Sequence, residues 1–390
     1  MDFSLSEEQR MIADTARKVG GRFDLGYWRD HDARKAFPAK FWQAVCDAGL
    51  CGIALPPENG GAGLGMVEMA IAVEELSAAA GGSTVGQLFM INPIFGGVSV
   101  SRFGMPEMRR EVLPKIVSGE IICCMALTEP DAGSNSLEIQ TFASANGNGW
   151  KLNGRKIWIS GVDSAHKMLV IARTKKLENS SGRTDGISMF LIDCDREGVS
   201  HAPIEKLGTN TLAASSVYFE DVHIDGSELI GTLHGGWYEL LEVLNTERIV
   251  TSAGLVGAGN LAIRQAVEYA KQRKVFAGAP IAAYQGLQFP LAQAHAELAS
   301  ARLMNLQAAS LCDNGQPYGS EANIAKLLAA QAAANATERS MQVLGGMGYA
   351  KDSHIERLWR DARLFRFAPI SEEMILNFIA VQNLGLPRSY

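Results

Sequence analysis

The feature that most constrains the fold is a change of hydrophobic period that occurs twice along the 390-residue chain. Up to about residue 120 the apolar residues recur at helical spacing, and from about residue 235 long helical segments rich in Ala and Leu return. Between them lie short apolar runs typical of strands. Because these runs form one contiguous block, the order argues against a doubly wound α/β fold. The sequence predicts an α+β fold with an N-terminal all-α domain (1–120), a middle antiparallel β domain (121–234) and a C-terminal helical domain (235–390).

Local signals place several elements within the first two blocks. Ser6 and Gln9 have the spacing of a capping box, which predicts a helix start, and further helices are predicted at 41–48 and 67–79. In the middle block we predict a strand at 121–127 and a hairpin at 150–159 that turns at Asn153-Gly154. Further strands are predicted at 168–172, 187–192 and 217–224, which together favour a small barrel or sandwich.

The C-terminal block has helical periodicity over 237–275, 288–312, 320–343 and 369–384. Gly257 and Gly259 lie within it at the GxGxxA spacing of a dinucleotide fingerprint. That fingerprint requires a preceding strand, whereas here the preceding segment is helical. Small residues that let two helices approach closely are the better interpretation, so the sequence argues against a nicotinamide cofactor.

Glu247 occupies a position on this first C-terminal helix where an apolar residue is expected. The other residues at i, i+3, i+4 and i+7 spacing on its face are apolar or small, namely Leu240, Val243, Leu244, Val250, Thr251 and Gly254. Burial disfavours an ionised carboxylate and raises its pKa, as a base acting near neutral pH requires. The alternative is an ordinary glutamate that reaches solvent or pairs with Arg248 or Lys271.

Composition excludes several classes of function. The 36 basic residues are outnumbered by 42 acidic ones, and no basic run could follow a phosphate backbone, which argues against nucleic-acid binding. The N-terminal segment does not resemble a signal peptide, and no apolar run reaches the length needed to cross a bilayer. We expect a soluble, cytoplasmic protein without membrane insertion. The six cysteines form no CxxC pair and the histidines form no cluster, so buried, reduced thiols and no metal site are expected.

Four short motifs are candidates for ligand binding, although each also has an ordinary structural interpretation. The loop from Thr128 to Ser134 follows a predicted strand and offers hydroxyls and backbone N–H groups, or is a simple turn. Trp158 and Ser160 lie two residues apart at a strand end. Arg273, which precedes Phe276 by three residues, suits a diphosphate or complements a helix dipole. Gln342 and Gly346 belong to a glycine-rich helix end, which is also typical of an ordinary C-cap.

Taken in order, these segments resemble the acyl-CoA dehydrogenase family over essentially the full chain. The likeness is carried by LTEPDAGSN (127–135), KIWIS (156–160), FEDV (219–222), RKVF (273–276), Gln285 with Gln288, MQVLGGMGY (341–349) and WRD (359–361). The resemblance implies a C-terminal four-helix-bundle-like domain, FAD as the cofactor, and a homotetramer built as a dimer of dimers, or a homodimer.

The resemblance also implies roles for particular residues. Thr128 and Ser134 would bind the flavin and its phosphate, and Trp158 and Ser160 would flank the isoalloxazine ring. Arg248 and Leu244 would lie near the thioester substrate. The partner subunit would hold the diphosphate and adenosine portions through residues equivalent to Arg273, Phe276, Gln342 and Gly346.

The sequence departs from the family pattern at the catalytic base. Most members carry a glutamate just after the Arg-Asp motif, and that position is Pro369 here. A minority, similar to isovaleryl-CoA dehydrogenase and crotonobetainyl-CoA reductase, place the base on the earlier helix, at the position of Glu247. The missing C-terminal glutamate and the misplaced Glu247 therefore explain each other.

The resemblance implies FAD-dependent α,β-dehydrogenation of an acyl-CoA, with Glu247 removing the Cα proton, the flavin accepting the Cβ hydride and an electron-transfer flavoprotein as acceptor. Alternatives are an enoyl-CoA reductase, a dehydrogenase of a carrier-protein thioester, or a flavin-free assembly or binding subunit.

Overall fold

A computed structural model of the chain describes residues 4–276 and 278–388. The first block is helical, as predicted, and Ser6 and Gln9 form the expected capping box, with Ser6 Oγ accepting from the Gln9 backbone N–H at 3.1 Å. Its α-helices are α1 (Glu7–Gly20), α2 (Leu25–Arg34), α3 (Ala39–Asp47), α4 (Met66–Leu76), α5 (Ser83–Phe89), α6 (Ser99–Phe103) and α7 (Pro106–Ser118).

Helices α4, α5 and α6 belong to an almost continuous helical rod. The π-helical stretches Ser77–Gly81 and Met90–Val98 connect them, and nearly every residue from 83 to 100 is buried. An apolar helix buried on all sides must be covered by other elements. The cluster that covers it includes residues from α1, from the middle strands and from the C-terminal helices.

The middle block forms one mixed sheet with strand order β6-β7-β3-β2-β4-β5-β8, in which β1 pairs with β4. Most pairings are antiparallel, as predicted, but β1 pairs parallel with β4, and β2 meets β4 in the same sense. The strands are β1 (Cys123–Ala126), β2 (Phe142–Asn146), β3 (Gly149–Ser160), β4 (Lys167–Arg173), β5 (Ile187–Asp193), β6 (Val199–Ile204), β7 (Ala214–Ile224) and β8 (Leu229–Ile230).

The hairpin predicted at Asn153-Gly154 is wrong. These two residues lie inside the continuous strand β3, and the turn falls earlier, between β2 and β3. Gly154 has φ of 151°, and a Cβ atom on it would lie 2.5 Å from the Thr141 hydroxyl oxygen. The glycine therefore permits a close approach of two chain segments at a register shift, not a reversal.

The C-terminal block is built on α8 (Gly236–Gln272), whose 37 residues span about 55 Å. A short ribbon of β9 (Lys274–Val275) and β10 (Ala279–Pro280) follows. The next helices are α9 (Gln285–Asp313), α10 (Gly319–Leu344), α11 (Gly346–Tyr349), α12 (Ile355–Leu364) and α13 (Glu372–Phe378), the last continued by a π-helical turn at Ile379–Asn383.

Small residues let α8 approach its neighbours closely, as the sequence suggested. A Cβ atom on Gly257 would lie 2.4 Å from the Glu74 carbonyl oxygen, and one on Gly254 would lie 2.8 Å from Gly86 Cα. The glycine pair Gly86 and Gly254 thus forms the crossing point of α5 and α8. The interpretation of Gly257 as a helix-packing residue is confirmed.

Helix α12, which the sequence did not predict, ties the three blocks together. The Arg357 guanidinium is buried and donates to the carbonyl oxygens of Ala80 and Gly81, at 3.0 and 3.1 Å. Asp361 pairs with Arg357 and accepts from the Thr209 backbone N–H at 2.5 Å. These contacts join the first, middle and last blocks.

Across residues 4–276 and 278–388, no helix has both the length and the apolar character needed to traverse a bilayer.

Candidate active site

Glu247 lies buried near the middle of the long helix α8. Its exposed fraction is 1 %, and Leu240, Val243 and Val250 on the same face are fully buried. The predicted apolar face with one carboxylate is therefore confirmed. Helix α8 packs between α4 and α5 of the first block and α9 and α10 of the last, so Glu247 is enclosed from several sides.

Burial raises the pKa of Glu247, since removal of water disfavours the charged carboxylate. Three neighbours oppose this effect. The Thr251 hydroxyl donates to Glu247 Oε1 at 2.5 Å, and the positive charges of Arg248 and Lys326 lower the pKa in part. The Glu247 carboxylate is thus held by one hydrogen bond from Thr251, one helical turn further along α8. Its affinity for a proton exceeds that of a glutamate in water.

The alternative that Glu247 reaches solvent or forms an ion pair with a neighbour on the helix is wrong. Lys271 pairs instead with Glu268, at 2.9 Å. The Arg248 guanidinium is buried and donates to the Asn245 side chain. Arg248 Nε has no hydrogen-bond partner among the described residues, and Leu244 packs against the large core cluster nearby.

The segment after α12 offers no buried, unpaired carboxylate to replace Glu247, since Glu373 is exposed. Pro369 occupies the position where most family members would carry the base, and the following Glu372 is engaged elsewhere. Both carboxylate oxygens of Glu372 accept from Arg366, at 2.7 and 2.8 Å. The helix α13, predicted to start at 369, begins only at Glu372, with Ser371 as its N-cap.

The loop that carries Thr128 is fixed by a buried ion pair. Lys156 of β3 donates to Glu129 Oε1 and to the Leu127 carbonyl oxygen, both at 2.8 Å. Glu129 also accepts from the backbone N–H groups of Gln140 and Thr141, at 2.6 and 2.9 Å. Every carboxylate oxygen of Glu129 is therefore used to hold the loop against β3.

Trp158 and Ser160 lie beside that loop. The Ile157 backbone N–H donates to the Thr128 carbonyl oxygen at 2.9 Å, which joins the two segments. Trp158 has φ of 62° at a β-bulge opposite β7, and 54 % of it is exposed. A large residue in left-handed backbone conformation is strained, and such strain clusters at functional sites. Within the described residues, the hydroxyls of Thr128, Ser134 and Ser160 have no hydrogen-bond partner.

The second predicted binding set begins at Arg273, which lies far from Glu247. Arg273 directly follows α8, and 26 residues of helix place it about 40 Å from Glu247 along the axis. Phe276, at φ of 48°, is 97 % exposed. Val275 packs in the same cluster as Val343, next to Gln342, with Gly346 at the start of α11. The structure thus places the segment of Arg273 and Phe276 in one apolar cluster with the end of α10 that carries Gln342, and Gly346 follows just beyond that end.

Sequence reasoning missed Lys326, which lies on α10 and is fully buried. The signal was available, because the residues at i−4, i+3, i+4 and i+7 from it are alanines, all buried. Lys326 is thus out of place on an apolar face in the same way as Glu247. The pair Glu129 and Lys156 was also missed, and no local spacing reveals it because 27 residues separate its members.

The cysteines are all free. Four are buried, whereas Cys194 and Cys312 are partly exposed and so differ from the expectation of burial. In the described part of the chain, no group of three or more His, Cys, Asp or Glu side chains is placed to bind a metal ion.

The fold has a helical, a β and a second helical block, and the first C-terminal helix carries a buried carboxylate. Comparison with known proteins identifies the class of protein that these features define. Sequence profiles of the acyl-CoA dehydrogenase N-terminal, middle and C-terminal domains match residues 6–120, 124–222 and 234–384. The chain belongs to the acyl-CoA dehydrogenase family.

Three relatives illustrate the range of this family. The acyl-CoA dehydrogenase FadE12 of Mycobacterium tuberculosis is 37 % identical over 390 residues, which cover 100 % of this chain and 99 % of that protein. A 3-(aryl)acrylate reductase of Clostridium sporogenes is 35 % identical, with 92 % of this chain and 94 % of that protein covered. A glutaryl-CoA dehydrogenase of Mycobacterium smegmatis, solved with FADH2, is 26 % identical with a TM-score of 0.91 over 99 % of this chain and 97 % of that one.

Proposed function

We propose that this protein catalyses FAD-dependent α,β-dehydrogenation of an acyl-CoA thioester, with Glu247 as the base. The observation that carries the proposal is the buried carboxylate on α8, whose pKa is raised by burial. Pro369 cannot serve as a base, and Arg366 already holds Glu372. Glu247 is therefore the base that the surroundings of α8 best support.

The chain's own residues have distinct tasks in this reaction. Glu247 takes the proton from Cα of the acyl group, and the Thr251 hydrogen bond at 2.5 Å fixes one carboxylate oxygen. The other oxygen is then available to the substrate. Arg248 and Leu244, next to the base on α8, are proposed to line the substrate path. Bound FAD supplies the acceptor for the hydride that leaves Cβ, which is chemistry that no side chain provides.

The surroundings of Trp158 fit a flavin. Thr128, Ser134 and Ser160 offer hydroxyls that no described residue engages, and Trp158 presents an exposed ring from a strained backbone. A ligand that is both flat and polar would use these features together. The relative from Mycobacterium smegmatis was solved with FADH2, which supports FAD as the cofactor here. These four residues would hold the flavin portion.

The remaining predicted contacts suggest an assembly of several copies. Arg273 lies about 40 Å along α8 from Glu247. Its side chain is therefore too far away to reach a flavin whose ring lies beside Glu247. We propose that Arg273, Phe276, Gln342 and Gly346 complete the cofactor site of a neighbouring subunit. Phe289, Tyr349 and Phe367 of the last block are exposed aromatic residues that a second copy would cover. A homotetramer or homodimer is the proposed state.

An enoyl-CoA reductase is the second candidate. The relative from Clostridium sporogenes is named as a 3-(aryl)acrylate reductase, and the same residues serve the reverse reaction, with Glu247 returning a proton to Cα. An electron-transfer flavoprotein as acceptor, the cytoplasmic location and the domain limits 1–120, 121–234 and 235–390 remain predictions.

The decisive experiment is an anaerobic titration of the purified protein with saturated acyl-CoAs of different chain types, followed by the visible absorption of the flavin. Glu247→Gln is compared with the wild type, and Glu268→Gln serves as a control on an exposed glutamate of the same helix. We expect bleaching in the wild type and in the control, and a rate at least about 100-fold lower in Glu247→Gln, the range of general base catalysis.

The outcomes separate the candidates. Bleaching of Glu247→Gln at the wild-type rate would show that another group is the base. Flavin that acyl-CoAs never bleach, but that returns to the oxidised form on addition of an enoyl-CoA after chemical reduction, would favour the reductase. A purified protein without flavin and unable to bind FAD would refute both enzyme proposals.

A further inference from the structure

Lys326 is a buried cation that the proposed reaction does not yet use. Its side chain is fully buried on α10, which packs along α8. Two of its three N–H groups donate to main-chain carbonyl oxygens, to Phe365 at 2.5 Å and to Ile370 at 2.6 Å. In the part of the chain that the structure describes, no carboxylate oxygen lies within 4 Å of the ammonium nitrogen.

The two carbonyl groups lie at the two ends of one turn. Residues 365–370 connect α12 to α13 and contain Pro369. A single ammonium group therefore fixes both ends of this turn. Phe365 packs in one apolar cluster with Leu255 and Val256, which lie on α8 two to three turns beyond Glu247. Lys326 thus anchors a segment that packs against the helix carrying the proposed base.

The charge of Lys326 is also coupled to Glu247. Burial lowers the pKa of Lys326 to about 8, and among the groups that oppose this effect the charge of Glu247 is the largest, followed by Glu372 and Glu373 of α13. Arg248 acts in the opposite direction. In return, Lys326 lowers the pKa of Glu247. In a dry interior such an interaction is screened far less than in water.

We propose that Lys326 is a positioning residue for Glu247, because its ammonium group holds the 365–370 turn while its positive charge stabilises the ionised carboxylate. Since Glu247 acts as the base only in the proposed function, this role rests on that proposal. Lys326 contacts neither the substrate nor the cofactor in this scheme. It acts through the proton affinity of Glu247.

The kinetic test compares Lys326→Met, which keeps most of the length of the side chain without its charge, with Lys326→Arg, which keeps the charge. The rate of flavin reduction is measured against pH. The base works in its ionised form, so activity is lost as pH falls through the pKa of Glu247. Lys326→Met removes a charge that lowers that pKa, so its acidic limb should move to higher pH than the wild-type limb. Lys326→Arg should leave the limb near its wild-type position even where the rate itself falls.

An acidic limb of Lys326→Met that coincides with the wild type would overturn the electrostatic role, whether the rate falls or not. If Lys326→Met does not fold, a second measurement remains, because the coupling is reciprocal. Between about pH 8 and pH 10.4 the unfolded chain binds a proton at Lys326 that the native protein has lost, so the free energy of unfolding rises with pH. Without the Glu247 charge the pKa of Lys326 falls further, so this rise should begin at a lower pH than in the wild type.

Urea unfolding of Glu247→Gln and the wild type from pH 6 to pH 10.5 tests this point with a readout that depends on neither flavin reduction nor substrate. If the free energy of unfolding rises over the same pH range in both proteins, the coupling is refuted. The two proposals fail separately. If no acyl-CoA or enoyl-CoA changes the flavin absorption of the wild type, the proposed function is refuted, even where the shift between the unfolding profiles is present. A shift that is absent in an active enzyme would remove only the role of Lys326.

Discussion

The ion pair between Lys156 and Glu129 gives the most quantitative prediction. Both side chains are buried, and the 2.8 Å contact is one of the hydrogen bonds that hold the Thr128 loop on β3. Lys156→Met leaves the Glu129 carboxylate buried, with only two backbone N–H donors. Removal of one partner of a buried pair costs about 3–5 kcal/mol.

This loss corresponds to a measurable change in melting temperature. An unfolding entropy of about 2.1 cal/mol/K per residue gives about 0.8 kcal/mol/K for 390 residues, so a loss of about 4 kcal/mol lowers the Tm by about 5 °C. Differential scanning calorimetry measures the shift. The matched control is Lys151→Met on the same strand, whose pair with Asp221 is exposed and is worth at most about 1 kcal/mol.

The double variant Glu129→Gln with Lys156→Met separates charge from packing. It removes the uncompensated carboxylate and should recover part of the lost stability. The reasoning would be refuted by a Lys156→Met variant whose Tm falls no further than that of Lys151→Met. A double variant that is less stable than Lys156→Met alone would also refute it.

Two further predictions concern the α5–α8 crossing and the base. Gly254→Ala should destabilise the protein by about 1–3 kcal/mol in urea unfolding, because its Cβ would lie 2.8 Å from Gly86 Cα. Gly286→Ala, where no heavy atom lies within 4 Å, is the control, and equal effects would contradict the steric explanation. The acidic limb of flavin reduction should lie above the ordinary glutamate pKa of about 4.3, since burial raises the pKa of Glu247 and activity is lost below it. A limb at or below pH 4 would contradict the assignment of the base.

Periodicity carried most of what the sequence could predict. The helix around Glu247 was long enough for its apolar face to be defined, and a carboxylate on that face could be recognised as misplaced. Chain order likewise placed the strands between two helical blocks. Both inferences use only residues close together in the sequence, where spacing determines which side chains share a face.

Contacts between distant segments were not predictable in this way. Asn153-Gly154 has the composition of a hairpin turn, but the close approach of Thr141 requires the glycine inside a strand. The place of Lys326 on an apolar face was visible in the sequence, but its partners are main-chain carbonyl groups about 40 residues away and were not predictable. Every residue has such a carbonyl group, so no side-chain pattern marks the two that bind the ammonium group.

The length of α8 has a genetic consequence. Glu247 lies within α8 and Arg273 directly follows its last residue, about 40 Å away along the axis, so in the proposed assembly they serve different cofactor sites. Two defective alleles, Glu247→Gln and Arg273→Ala, would then complement each other in a mixed dimer. One site would carry both defects and the other neither, and co-expression of two inactive chains would restore activity to a fraction of the assemblies.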